Sequence, residues 1–172
     1  LLILDAGGGY HVVLAGLGAH LGLVDHLSIH RYWIHGGPET DFTDEEYYGL
    51  LAEADETELF IQQTEAILRD AMGKVGRETM IGIALDEWGV WHPEAREWGP
   101  GANARLPQTY EQAGTLRDAL ATAAALEGFH RQCRVLTVAN LAQIVNVLHA
   151  PIMTDGAQMW LTPTYHILQM HK

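Results

Sequence analysis

Residues 80–92, Met-Ile-Gly-Ile-Ala-Leu-Asp-Glu-Trp-Gly-Val-Trp-His, decide how this sequence folds. Residues 80–85 are a short aliphatic run without alternation between apolar and polar positions. Such a run predicts a strand covered on both faces, the habit of parallel sheets. Residues 24–29 and 134–138 are bounded by polar or turn residues in the same way and predict two more strands. Ile29, Ile83 and Leu136 are almost evenly spaced along the chain.

Helical signals fill the gaps between the three strands. Thr43 with Glu46 is a capping box, and Asp55 with Glu58 is a second, weaker one. Phe60, Thr64, Ile67, Leu68 and Ala71 then fall at helical spacing, and Gly73 sits where a helix would stop. Thr115 with Asp118 opens another helix, whose predicted apolar stripe is Leu116, Ala119, Leu120, Ala123 and Leu126. A last helical turn or two follows Pro163, through Ile167 and Met170. The acidic stretch at 41–58 reads as the solvated face of this region. Strand and helix in strict alternation, with no Gly/Ser or Pro linker, predict an α/β fold of one domain on a parallel sheet.

Composition narrows the function. The chain has 172 residues, 48% hydrophobic and 19% charged, enough for one sizeable core. Acidic residues outnumber basic ones 22 to 10, a formal charge of −12, which argues against nucleic acid and anionic membrane as partners. No apolar stretch approaches the ~20 residues of a membrane span. A single cysteine, Cys133, excludes an internal disulfide and a cysteine zinc site, and is expected as a small buried hydrophobe. The chain starts at Leu1, and its first four residues are too short for a signal-peptide core, which points to the cytoplasm and to a piece of a longer chain. Residues 7–9 are three glycines, but no phosphate-loop spacing follows, so they read as a turn after a strand.

In parallel α/β proteins chemistry collects at the C-terminal ends of strands. Here those ends deliver Ser28-Ile29-His30-Arg31-Tyr32-Trp33, Asp86-Glu87-Trp88-Gly89-Val90-Trp91-His92 and Ala139-Asn140-Leu141-Ala142-Gln143. Two adjacent carboxylates ending so buried a strand must be paired or functional, because desolvating an unpaired charge is costly. One reading is an ion pair with a buried arginine. The other is glycoside chemistry, with a carboxylate attacking an anomeric carbon while Trp88 and Trp91 stack on sugar rings. His26 and His30 are the one close histidine pair, and no HExxH occurs. A positioned, hydrogen-bonding His30 is the expectation rather than a metal ligand.

The stretch IALDEWGVWH, residues 83–92, resembles the nucleophile strand of the α-L-arabinofuranosidases of glycoside hydrolase family 51. LSIHRYW (27–33) is similar to that family's sixth-strand end, and ANLAQIVNVLHAPIMTDG (139–156) to the segment after its eighth strand. WLTPTYHILQMH (160–171) is similar to what leads toward its C-terminal β-sandwich. The resemblance implies Glu87 as catalytic nucleophile, Tyr32 hydrogen-bonding near it, His30 at the floor of the sugar pocket, Trp91 beside the sugar and Gln143 binding it. Asp86, adjacent in an extended strand, is expected to point to the opposite side. No metal or organic cofactor is implied. The implied substrates are arabinose-containing oligo- and polysaccharides, and homo-oligomerisation of the full-length enzyme remains open.

The departures from the family pattern are equally specific. The family's acid/base is a glutamate after an asparagine, and none of Asn103, Asn140 and Asn146 precedes a glutamate. Residues 1–20 match poorly, and the β-sandwich has no counterpart. A whole (β/α)8 TIM barrel needs about 250 residues. Residues 1–172 therefore read as the C-terminal portion of such a barrel, its last three or four βα units. Residues 24–29 and 134–138 would be its exposed edges. The expected activity is retaining hydrolysis of terminal α-L-arabinofuranosyl groups, with this fragment inactive alone. The alternatives are a barrel glycosidase with another sugar preference and a non-catalytic sugar-binding half-barrel.

Overall fold

The computed structural model describes Ile3–Asp5 and residues 18–172. The glycines at 7–9 lie outside the described residues. Four strands form one parallel sheet in chain order: β1 (Ile3–Asp5), β2 (His26–Trp33), β3 (Gly82–Val90) and β4 (Leu136–Leu141). The three expected strands are therefore parallel neighbours with their C-terminal ends on one side, in an α/β fold. Each runs further toward its C-terminus than its apolar run suggested, because backbone pairing continues through the polar ends. β1 covers one side of β2, so residues 24–29 are not an edge. β4 is one, and it is exposed from Thr137 to Asn140 rather than covered on both faces.

Helices α1 (Asp44–Asp55) and α2 (Thr57–Lys74) join β2 to β3, and α3 (Leu116–Arg131) joins β3 to β4. Capping boxes at Thr43/Glu46 and Thr115/Asp118 form as expected. The Asp55/Glu58 box does not: α1 runs through Asp55, and Glu56 links it to α2 without a side-chain cap. The α3 stripe is rotated from the expected one. Ala119, Ala121, Ala125 and Phe129 are buried, whereas Leu116 and Leu120 are exposed. Small residues let α3 approach closely, and its buried Arg117 and Asp118 fix the rotation. After β4 come an antiparallel hairpin, β5 (Ile152–Asp155) and β6 (Gln158–Leu161), and α4 (Pro163–Met170), which packs on α3. The hairpin was absent from the sequence reading, although Asp155-Gly156 is a turn signal of the right kind.

The core lies between sheet and helices. Leu27, Ile29 and Trp33 of β2 and Ile83, Leu85, Trp88 and Val90 of β3 pack against Leu50, Ala54, Ile61, Leu68, Ala121, Ala125 and Phe129. Side chains alternate along a strand, so Ser28, His30 and Tyr32 take the opposite face of β2. On β3 the alternation breaks once. Ile29 pairs with Leu85 and His30 with Glu87, which leaves Asp86 as an extra residue, a β-bulge. The bulge puts Asp86 and Glu87 on the same face, away from the helices, and returns Trp88 to the core. Among the described residues no helix is long and apolar enough to cross a membrane.

Candidate active site

The open face of the sheet, at its C-terminal rim, gathers Ser28, His30 and Tyr32 from β2 and Asp86 and Glu87 from β3. The Tyr32 hydroxyl donates to Glu87 Oε2 at 2.8 Å, the contact expected from the sequence. His30 Nδ1 lies 3.5 Å from the same oxygen, and His30 Nε2 lies 3.1 Å from Asp86 Oδ1. Ser28 Oγ sits 2.9 Å from both Asp86 oxygens, donating its one proton between them. Glu87 Oε1 has no hydrogen bond among the described residues. Burial raises the Tyr32 phenol well above its ordinary range, and the hydrogen bond and charge of Glu87 and the charge of Asp86 add to this. Tyr32 is thus a fixed donor throughout the neutral range.

Asp86 departs from expectation, since the bulge turns it toward Glu87 instead of away. The ion-pair reading of these carboxylates also fails, because no arginine pairs with Asp86 or Glu87 among the described residues. The two buried arginines bind loop carbonyls. Arg96 donates to the carbonyls of Ile34, Trp91, Trp98 and Pro100. Arg117 donates to those of Gly36 and Pro38 and lies over the Phe42 ring. Both therefore clamp the loops that follow β2 and β3.

Trp91 is half-buried. Its indole N–H donates to Ala95 O at 2.9 Å, and its ring meets Tyr32 edge-on at 4.9 Å between centroids. On its far side stand Trp98 and Tyr110, at 5.1 and 6.2 Å and each about half exposed, which the sequence reading did not single out. Trp88 cannot stack on a ligand: it is buried against Phe129 and Trp33. Gln143 follows β4 at the same rim, next to Ala142, which packs with Tyr32 and Trp91. Its side chain is exposed and makes no hydrogen bond to Tyr32, Glu87 or Trp91. Cys133 is exposed, not buried, because it falls in the turn that leads α3 into the edge strand β4.

Beneath the rim a buried polar layer holds the loop carrying Gln143. Val90 N–H donates to His149 Nδ1 at 3.1 Å, which leaves Nε2 as the donor toward Thr164 Oγ1 at 2.9 Å. Burial pushes His149 down to about 4, with Asp118 opposing the shift and His92 aiding it. Burial pushes the Asp118 carboxyl up, yet the hydrogen bond and charge of His92 bring it below its usual range. The close approach of His149 needs a glycine at Gly89, whose φ is +135° and where a Cβ would stand 2.9 Å from His149.

The whole arrangement offers an ionisable carboxylate with one oxygen immobilised and the other unengaged among the described residues, beside an exposed aromatic ledge. Comparison with known proteins identifies the family. Residues 86–172 match the family described as "Alpha-L-arabinofuranosidase C-terminal domain". An intracellular exo-α-L-arabinofuranosidase of Bacteroides ovatus is 35% identical over 87% of this chain and 28% of that protein. An intracellular exo-α-(1→5)-L-arabinofuranosidase of Streptomyces lividans is 33% identical over 83% of this chain and 21% of its own length. The chain thus spans about a quarter of these curated relatives. The crystal structure of the family 51 arabinofuranosidase from Xanthomonas axonopodis pv. citri superposes with a TM-score of 0.76 at 28% identity, over 96% of this chain and 33% of that one. A family 51 enzyme from Bifidobacterium longum shares the fold at 22% identity with a TM-score of 0.80, over 98% of this chain and 35% of its own. A family profile across half of the chain and relatives at about a third identity along most of it leave one assignment: the chain belongs to the α-L-arabinofuranosidases of glycoside hydrolase family 51.

Proposed function

We propose that residues 1–172 are the nucleophile-bearing portion of a retaining exo-α-L-arabinofuranosidase, with β1 to β4 as the last four strands of a (β/α)8 barrel. The observation that carries this reading is Glu87 at the rim of a buried parallel strand, with Oε2 held by Tyr32 and Oε1 unengaged among the described residues. In the first step Oε1 attacks the anomeric carbon, the bond to the leaving oxygen breaks, and that oxygen takes a proton from a general acid. Water, deprotonated by the same acid/base, then attacks the anomeric carbon and releases Glu87 as carboxylate. Neither step draws on a metal or an organic cofactor.

The acid/base must stand roughly 5–5.5 Å from Glu87 in a retaining enzyme. Asp86 is unsuited, because both its oxygens are engaged by Ser28 and one of them also faces His30. The family resemblance places the partner carboxyl, a glutamate after an asparagine, on barrel strands outside residues 1–172, since none of Asn103, Asn140 and Asn146 precedes a glutamate. On this reading these residues alone are inactive. Within it His30 floors the sugar pocket, Trp91 lies beside the sugar and Gln143 binds a hydroxyl. The substrate class is terminal α-L-arabinofuranosyl groups on arabinan, arabinoxylan or their oligosaccharides. The proposed location is inside the cell, in keeping with how the Bacteroides and Streptomyces relatives are named.

The test is a mechanism-based arabinofuranosyl inhibitor applied to the complete enzyme, with the labelled peptide sequenced. Label on Glu87 is the expected result. Faster labelling by a pyranosyl reagent would assign another sugar, and a protein that binds arabinosides without any covalent label would be a binding module.

A further inference from the structure

We infer that Asp86 is a positioning residue that acts on the nucleophile through His30, an inference that rests on Glu87 being that nucleophile. Asp86 is the extra residue of the bulge, and the bulge alone brings a second carboxylate onto the face of the first. Placing two anions side by side costs free energy unless a donor stands between them. His30 stands there, with Nε2 at 3.1 Å from Asp86 and Nδ1 at 3.5 Å from Glu87 Oε2. Asp86 is itself anchored by Ser28, a fully buried hydroxyl. Positions 28, 30 and 32 of β2 thus supply the groups that hold positions 86 and 87 of β3, in the order Ser28, Asp86, His30, Glu87, Tyr32.

The arrangement has a chemical logic beyond holding the strand together. An imidazole with carboxylates at both nitrogens donates to both only in its doubly protonated form. Glu87 loses its negative charge when it becomes the glycosyl ester, and Asp86 does not. Asp86 therefore keeps the ring oriented toward Oε2 while Glu87 is esterified. The same ring faces the carboxylate that reappears when water cleaves the ester. With its oxygens turned to Ser28 and His30, Asp86 acts through the imidazole, so its effect belongs in the rate of reaction and not in sugar affinity.

The test compares Asp86→Asn with the complete wild-type enzyme, the substitution conserving size while removing charge. Expected are a kcat on nitrophenyl arabinofuranoside lowered about 10–100-fold, the size of a lost hydrogen bond to a charged group, and a KM within about threefold. Covalent labelling of Glu87 by the arabinofuranosyl inhibitor should slow by the same factor. A double-mutant cycle supplies the readout that a merely structural role would not move: in a His30→Gln background Asp86→Asn should slow labelling no further. Undiminished labelling by Asp86→Asn, or a full additional loss in the His30→Gln background, would overturn the inference. If Asp86→Asn fails to fold, Ser28→Ala takes its place, with a several-fold slower labelling expected and an unchanged rate overturning the inference. A wild-type enzyme that acquires no label on Glu87 would refute the proposed function itself, an outcome separable from both.

Discussion

Tyr32 and Glu87 show how far single residues can be read. A phenol that stays protonated keeps its proton to donate, and the oxygen it holds cannot swing away from the reacting geometry. Tyr32→Phe should lower kcat of the complete enzyme by about 10–100-fold with KM little changed, the scale of one hydrogen bond to a charged group. A larger change in KM than in kcat would show that Tyr32 binds sugar instead. The two tryptophans that look alike in sequence should separate in their effects. Trp88→Ala should cost about 3–5 kcal/mol of folding stability, the range for a buried aromatic. Trp91→Ala should raise KM while leaving the denaturation midpoint nearly in place. The meeting of Glu87, Tyr32 and Trp91 at one rim was legible because each lies just past a buried run, while their roles were implied by the family resemblance alone. Asp86 and Trp88 were misplaced for a common reason: one unpaired residue changes which side every later side chain takes, and composition carries no mark of it.

Elements were legible where local chemistry decides them and obscure where tertiary contacts do. The capping residues Thr43 and Thr115 announced α1 and α3 because their partners lie three residues on. The face that α3 buries was misread, since Arg117 and Asp118 are tied to His92 and to loop carbonyls far away in sequence. That buried layer makes a pH prediction. An unfolded histidine titrates near 6.5, whereas His149 is held at about 4. Between these values the unfolded chain binds a proton that the folded chain refuses. Stability is therefore full above about pH 6.5 and falls as pH drops toward 4, by about 3 kcal/mol in all. Urea midpoints measured from pH 7 to 4 should show this slope, and His149→Asn, which keeps an acceptor for Val90 N–H, should flatten it. Asp118 contributes only in a lower window, below the ordinary carboxylate range. Gly89 secures the same layer from the strand side. Gly89→Ala should destabilise by about 1–3 kcal/mol, because a side chain at positive φ is strained and this one would also meet His149. Unchanged thermal unfolding of that variant would contradict the packing described.

At the scale of the molecule, four parallel strands in chain order leave β4 with an edge unpaired among the described residues, and with Leu136 and Val138 along it. The isolated chain should release no nitrophenol from the arabinofuranoside above the Glu87→Ala background. It should also scatter light increasingly with concentration, more so in salt, which screens the repulsion of a −12 charge. Ordinary turnover abolished by Glu87→Ala would mean that the chain contains its own acid/base. The sequence announced the sheet's order and direction because even spacing and unalternating runs are global properties. It announced β1 only as an unbounded strand ahead of the glycines at 7–9, since three residues carry too little pattern to fix its limits. The bulge also governs how such a chain can vary across generations. Ahead of Asp86 odd-numbered residues of β3 face the helices, and beyond it even-numbered ones do, so the strand is two half-strands of opposite parity. Substitutions leave that parity intact. Losing one of the two residues between Leu85 and Trp88 would restore plain alternation, with the indole still in the core and one carboxylate left in the cleft. Straightening the strand with both retained would instead send Glu87 into the core and the indole into the cleft. The cleft thus owes its second carboxylate to one surplus residue between Leu85 and Trp88.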